Sequence, residues 1–312
     1  MRLAATEQGT GFPVLLLHGF PELGYSWRHQ LPALAAAGYR AIAPDMRGYG
    51  GSPGPERIED YDVHHLSADV VELMDDLGLE RAAVVGHDWG AVVAWHLALT
   101  RPDRVAGVCG MSVPFTPRAS RRPTEIWRER FAGRFFYILH FQELGIADAE
   151  LAADPARTMR GMLCGLTTGD GTALIGAEEE LADPTMSGGD GRGVVERLPQ
   201  PAELPAWLTQ AELDHYVAEF TRTGFTGGVN WYRNFDRNWE TTPELAGAHV
   251  TIPSLFVAGD RDPVLLMSPP GRQAEYLDDL RGQVLVPGAG HWVQQERPDE
   301  VNAALLAFLE AL

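Results

Sequence analysis

The sequence predicts an α/β protein with a mostly parallel central sheet flanked by helices and with an inserted all-helical cap. From Val14 onward, short aliphatic runs alternate with amphipathic helical stretches, which is the pattern of a parallel sheet covered on both faces. The strand pattern is absent from residues 116–245 and resumes from His249. We therefore predict a core domain of residues 1–115 and 246–312 and a helical cap domain of residues 116–245.

The first part of the core contains four runs that are typical of buried strands. The apolar residues of 26–37 and 62–77 recur at helical spacing, and each stretch ends at a glycine, Gly38 or Gly78, where a C-terminal cap fits. These two stretches are therefore predicted to be helices between strands. The predicted strands are residues 14–18, 41–44, 82–86 and 105–111.

A polar stretch at residues 117–123, rich in proline and arginine, marks the start of the cap. The cap is predicted to contain helices at 125–144, 155–166 and 209–223 and a glycine-rich loop at 188–193. After the cap the core is predicted to resume with two strands and a C-terminal helix. These elements are residues 254–258, 283–286 and 298–312.

Composition excludes several classes of function. The formal net charge of -18 disfavours binding to nucleic acids and to anionic membranes, both of which are negatively charged. Cys109 and Cys164 are too few for a disulfide framework and lack the spacing of a zinc site. No segment approaches the ~20 apolar residues of a membrane span. We expect a cytoplasmic protein without a metal or cofactor, and a homodimer is left open.

The strongest chemical signal is Gly86-His87-Asp88-Trp89-Gly90, which follows a predicted strand and opens a helix at 91–99. This G-x-D-x-G pattern predicts a nucleophile elbow, a sharp turn that presents Asp88 above the sheet. A carboxylate that attacks a saturated carbon forms an ester, which water can cleave, whereas serine would form a stable ether. Asp88 therefore indicates displacement at saturated carbon; the alternative is that it only caps the helix.

A second motif follows the first buried strand, and it resembles a loop of the α/β-hydrolases. His18-Gly19-Phe20-Pro21-Glu22 is similar to the HGxP loop of that superfamily. The resemblance implies a cis Phe20–Pro21 bond and an oxyanion hole formed by the backbone N–H groups of Phe20 and Trp89. By itself this motif is also compatible with a tight turn, so its position after the strand is what gives it weight.

The two remaining members of a catalytic triad follow in the order expected for an α/β-hydrolase fold. His291 lies in a Gly-Ala-Gly-His-Trp segment after the last predicted strand and can accept a proton from water. Asp260 and Asp262 both follow strand 254–258 and could each orient His291. The family resemblance implies that Asp262 is the acid and that Asp260 shapes the loop.

Two segments of the cap extend the resemblance to the soluble epoxide hydrolases. Residues 136–143 (FYILHFQE) and 230–234 (NWYRN) are similar to the cap motifs whose tyrosines face the nucleophile in that family. The resemblance implies that Tyr137 and Tyr232 bind and protonate the epoxide oxygen, since a phenol is more acidic than water. The alternative is that both are core aromatic residues of the cap. The chain is thus predicted to convert a small-molecule epoxide and water into a vicinal diol.

The chain also departs from this family. His140 and Leu144 stand where tyrosine and proline are common, and the N-terminus is too short for the full first strand. His140 is expected to pack within the cap or face solvent. The pocket is predicted to be apolar. The residues predicted to bind substrate are Phe20, Pro21, Trp89, Ile138, Phe141, Trp231 and Trp292.

Two other functions are compatible with parts of this pattern. Haloalkane and haloacid dehalogenases use the same Asp-His-Asp triad, but a leaving halide needs N–H donors and no proton. An alkoxide does need a proton, so the paired tyrosines favour the epoxide. A third hypothesis is a ligand-binding protein that has kept the fold without turnover, because a fold does not fix a function.

Overall fold

A computed structural model describes residues 1–167, 174 and 191–312. Residues 188–190 of the predicted glycine-rich loop lie outside the described residues. Within the described ranges, no helix is both long and apolar enough to cross a membrane.

One seven-stranded sheet spans the described part of the core, in the order β1-β3-β2-β4-β5-β6-β7. All neighbouring pairs are parallel except β1 and β3, which are antiparallel. β1 is an exposed four-residue strand at one edge of the sheet. The strands are β1 (Ala5–Gln8), β2 (Phe12–Leu17), β3 (Tyr39–Pro44), β4 (Ala82–His87), β5 (Val105–Met111), β6 (Val250–Gly259) and β7 (Leu277–Val286).

The central strand β4 is buried along its whole length. Successive side chains of a strand point to opposite faces of the sheet, so Val84 and Val85 enter two different hydrophobic clusters. Leu15 and Leu16 of β2 divide in the same way. Two cores, one on each face, therefore hold β4 rigidly, and the turn after β4 is the one that carries Asp88.

Helices cover both faces of the sheet, and a group of helices lies between β5 and β6 in the region predicted as the cap. The core begins with α1 (Gln30–Ala36), α2 (Val63–Asp76) and α3 (Trp89–Thr100). The inserted helices are α4 (Pro123–Arg130), α5 (Tyr137–His140), α6 (Ile146–Ala153), α7 (Pro155–Gly165), α8 (Val194–Arg197), α9 (Gln210–Thr223), α10 (Thr226–Arg233) and α11 (Phe235–Thr241). The chain ends with α12 (Val264–Met267), α13 (Val293–Glu296) and α14 (Pro298–Glu310).

The predicted helix at 125–144 is wrong, because the structure divides it into α4 and α5. Gly133 lies between them with a φ of 80°, a left-handed conformation that ends a helix and that glycine adopts without strain. The break lets the short helix α5 take its own direction. Tyr137 is the first residue of α5, so this break decides where its side chain points.

The inserted helices are attached to the core by buried polar contacts. Trp231 of α10 donates from Nε1 to the carbonyl of Arg47 over 3.2 Å, and Tyr216 of α9 donates to Gln295 over 3.2 Å. Asn234, directly after α10, donates to the carbonyl of Ile58 over 2.7 Å. These bonds fix α10, and with it Tyr232, over the carboxyl ends of the central strands.

Candidate active site

Asp88 occupies a strained turn between β4 and α3. Its backbone has φ 53° and ψ -119°, a conformation that residues with a Cβ rarely adopt. Glycine is required on both sides of the turn. A Cβ on Gly86 would lie 2.0 Å from the carbonyl oxygen of Gly90, and one on Gly90 would lie 2.0 Å from that of Leu17. The G-x-D-x-G pattern thus forms the predicted elbow, and the elbow places Asp88 at the N-terminus of α3.

Backbone donors surround the Asp88 carboxylate. The N–H of Phe20 donates to Asp88 Oδ1 over 2.8 Å, and the N–H of Trp89 also bonds this carboxylate. The peptide bond between Phe20 and Pro21 is cis, as the HGxP resemblance implies. Burial raises the pKa of Asp88, while His291 and these two donors oppose the shift by favouring the ionised form. Both predicted oxyanion donors therefore bond the Asp88 carboxylate.

His291 lies between two carboxylates. Its Nδ1 is 3.1 Å from both Oδ1 and Oδ2 of Asp262, and its Nε2 is 3.8 Å from Asp88 Oδ2. Burial lowers the pKa of His291, but the charges of Asp262 and Asp88 outweigh it and raise that pKa to about 9. Asp260 instead accepts the N–H of Gly288 over 2.7 Å, which holds the loop. Of the two candidate aspartates, Asp262 is the one that contacts the imidazole.

Tyr137 and Tyr232 face the same cavity as Asp88. This cavity has a volume of about 500 Å³, and all three residues line it. The centroids of the two phenol rings are 5.7 Å apart, and both side chains are buried. Burial and the negative charge of Asp88 raise the pKa of both tyrosines, so both stay protonated at neutral pH and can donate.

Not every residue predicted to bind substrate lies on the cavity wall. Trp89 and Ile138 line the cavity. The remaining five predicted residues are buried and lie outside the lining. They are Phe20, Pro21, Phe141, Trp231 and Trp292. Phe141, for example, packs edge-on against Tyr137 and Tyr232, with ring centroids 5.6 and 5.1 Å apart. Phe141 therefore supports the wall through these two tyrosines and does not form it.

His140 has a structural partner in the cap. It is buried on α5, where its Nε2 lies 2.7 Å from Oε2 of Glu150. Glu150 Oε1 also accepts the N–H of Val195 at the start of α8, over 2.6 Å. Of the two expectations, packing within the cap is therefore confirmed and a solvent-facing side chain is wrong.

Three buried polar residues beneath the site were not singled out from the sequence. Glu22 accepts from His87 Nδ1 over 2.6 Å, and His87 Nε2 donates to the carbonyl of His291 over 2.7 Å. Burial alone would raise the pKa of Glu22, but the charge of His87 lowers it to about 2. Glu296 accepts from the backbone on both sides of His291. Glu22 belongs to the HGFPE motif and His87 to the GHDWG motif. Their place in these motifs is the sequence signal that could have identified them.

Comparison with known proteins places this geometry in a family. Residues 13–298 match the family model described as alpha/beta hydrolase fold. Epoxide hydrolase A of Mycobacterium tuberculosis is 60% identical over all of this chain and 95% of its own length. This chain belongs to the epoxide hydrolases of the α/β-hydrolase fold. Epoxide hydrolase 3 of Siraitia grosvenorii is 41% identical, with 99% of this chain and 95% of that protein covered.

Solved structures of epoxide hydrolases share the whole architecture. The crystal structure of Epoxide Hydrolase A from Mycobacterium thermoresistibile matches with a TM-score of 0.93 and 57% identity, covering 99% of this chain and 95% of that one. An epoxide hydrolase from an endophytic Streptomyces matches with a TM-score of 0.92 and 42% identity, with the same two coverages. The inserted helices are therefore part of the epoxide hydrolase fold and not a separate addition.

Proposed function

We propose that this epoxide hydrolase converts an epoxide and water to a vicinal diol through a covalent ester on Asp88. The observation that carries the proposal is that Asp88, Tyr137 and Tyr232 line the same cavity. A nucleophile on the core and two proton donors on the cap face each other across it. Epoxide opening needs both at once, because one bond to carbon forms while the carbon–oxygen bond breaks.

In the first step a carboxylate oxygen of Asp88 attacks one ring carbon, and the bond from that carbon to the epoxide oxygen breaks. The oxygen takes a proton from Tyr137 or Tyr232, which leaves a hydroxyl group on the neighbouring carbon and a phenolate on the cap. The second tyrosine stabilises the developing charge by a hydrogen bond. The apolar wall excludes water, so it strengthens these interactions.

In the second step His291 activates water. While Asp88 is ionised, it helps Asp262 to keep His291 protonated. Esterification removes the charge of Asp88, which lowers the pKa of His291 and releases its proton to restore the tyrosine. The neutral imidazole then accepts a proton from water, and the hydroxide attacks the ester carbon. Asp262 stabilises the resulting imidazolium.

The ester intermediate passes through an oxyanion that the elbow can stabilise. The N–H group of Phe20 already donates to Asp88 Oδ1, the oxygen that becomes negative when hydroxide attacks the ester carbon. Trp89 supplies the second donor from the first turn of α3, where the helix dipole also favours negative charge. Collapse of this species breaks the carbon–oxygen bond of Asp88 to the diol, and the imidazolium gives one proton to the leaving alkoxide. The Asp88 carboxylic acid that remains then gives its proton to His291, which restores the starting charges.

Trapping the ester tests the mechanism. His291→Gln mixed with styrene oxide should gain the whole mass of the epoxide in intact-mass spectrometry, because alkylation proceeds without hydrolysis. Asp88→Ala should gain no mass, and His249→Gln, which changes an exposed histidine, should turn over without accumulating ester. A haloalkane offered to the same variant distinguishes the dehalogenase alternative, which traps substrate minus hydrogen halide. Absence of any adduct on His291→Gln in an otherwise folded protein contradicts the proposal.

A further inference from the structure

The cavity continues well beyond the reacting groups, along one face of α3. Trp89, Val92, Trp95, His96 and Leu99 all line it. Their spacing is that of one helical face, so the cavity follows the helix axis. A helix rises 1.5 Å per residue, which puts His96 about 12 Å from Asp88 along the axis. The cavity is therefore longer than an epoxide ring and its immediate substituents.

His96 differs from the other residues on this face because it is polar. Its side chain is 8% exposed, and its ring nitrogens have no hydrogen-bond partner within residues 1–167, 174 and 191–312. Its ring packs edge-on against His64, with centroids 5.3 Å apart. Burial and the neighbouring His64 lower the pKa of His96 to about 4, so the imidazole is neutral at physiological pH. It offers one donor and one acceptor.

Polar groups inside proteins usually meet a hydrogen-bond partner, which can be protein, water or ligand. Because His96 lines the cavity, the partner that completes it can be part of a ligand. An anionic ligand group is disfavoured at His96 because the imidazole is uncharged. The negative charges of Asp62 and Glu244, which act to raise the pKa of His96, would also repel such a group. A hydroxyl or carbonyl group satisfies the ring without introducing charge. The intervening wall at Val92, Trp95 and Leu99 suits an apolar chain.

We propose that His96 forms a second binding subsite, which hydrogen bonds an uncharged hydroxyl or carbonyl group of an elongated substrate. In this arrangement the epoxide lies at Asp88, an apolar chain follows α3, and the second polar group lies about 12 Å away. The proposal rests on the proposed function and adds the class of substrate. It makes His96 a determinant of specificity for chain length and for the far end of the molecule.

The test compares matched substrates within each enzyme. A homologous series of straight-chain terminal epoxides is prepared with and without a hydroxyl group at the opposite end. In the unmodified enzyme, kcat/KM should favour the hydroxylated member by about fivefold at the chain length that reaches His96, and less at shorter and longer lengths. His96→Phe should abolish this preference because it keeps a ring but removes both nitrogens. His96→Gln should keep part of it, and the control His249→Phe should keep all of it.

A preference that is absent at every chain length, or that is the same in His96→Phe and in the unmodified enzyme, overturns the subsite. A calorimetric comparison of the two corresponding diols binding to the same proteins needs no turnover. It therefore tests the subsite even if the proposed chemistry is wrong. A missing adduct on His291→Gln would show that the chemistry is wrong. If the adduct forms and both diols bind equally, only the subsite is rejected.

Discussion

Glu296 holds the backbone on both sides of His291 without touching its imidazole. Its Oε2 accepts the N–H of Gly290 over 2.9 Å, and its Oε1 accepts the N–H of Trp292 over 3.0 Å. The carboxyl group is buried, and burial raises its pKa to about 7 although both backbone donors oppose the shift. One side chain therefore sets the conformation of the loop that aims His291 at Asp88.

Replacing Glu296 should impair ester hydrolysis more than ester formation. In Glu296→Gln the amide has only one acceptor oxygen, so one of the two N–H groups loses its partner. We expect the free energy of unfolding to fall by about 1–3 kcal/mol. We also expect the Asp88 ester to accumulate during turnover, seen by intact mass after rapid quenching. Glu300→Gln, an exposed change on α14, is the matched control. Equal slowing of both steps would contradict a role in positioning His291.

The two cap tyrosines should act in the first step. Tyr137→Phe and Tyr232→Phe each remove one donor, so each should slow alkylation in single-turnover experiments, while the other phenol still protonates the oxygen. The double variant should lose about 10²–10⁴-fold, the usual contribution of general acid catalysis. Tyr276→Phe, at a residue outside the cavity lining, should retain its rate. A double variant as active as the unmodified enzyme would exclude tyrosine as the acid.

The charge on His291 should be visible in the pH dependence of stability. Its pKa is raised from 6.5 to about 9 in the folded protein, so its stabilising contribution is complete below pH 6.5 and is lost as the pH rises through 9. The free energy of unfolding should fall across this window by on the order of 3 kcal/mol more than in His291→Gln, measured by urea denaturation. Parallel pH profiles for the two proteins would mean that Asp262 and Asp88 do not raise the pKa of His291.

Gly90 should be essential to the elbow for steric reasons. A Cβ at this position would lie 2.0 Å from the carbonyl oxygen of Leu17. Gly90 belongs to α3 and Leu17 to β2, so the clash can be relieved only by moving one of these two packed elements. Gly90→Ala should therefore destabilise the protein by about 3 kcal/mol in thermal or denaturant unfolding. Gly271→Ala, where the added Cβ meets nothing within 4 Å, should change stability by less than about 1 kcal/mol. A stable Gly90→Ala would mean that the turn can relax.

Much of the fold could be predicted because its signals are local. Buried parallel strands give continuous aliphatic runs, and 82–86 and 105–111 lie within β4 and β5. One turn requires the glycines around Asp88, so a pattern of five residues is enough to predict that turn. The predicted helix at 125–144 failed because its apolar spacing continues past Gly133, whose left-handed φ separates two helices.

The sequence by itself determined the fold class and the elbow and predicted the triad and the paired tyrosines, because each depends on residue type and chain order. Only the tertiary structure decided which aromatic residues face the cavity and which support it, since side chains such as Phe141 and Trp231 are equally apolar in either place. It also decided which backbone groups Glu296 contacts and that His96 lines the cavity. Their contacts join residues through folded loops and helix faces, and no local pattern specifies which buried polar atoms meet a partner.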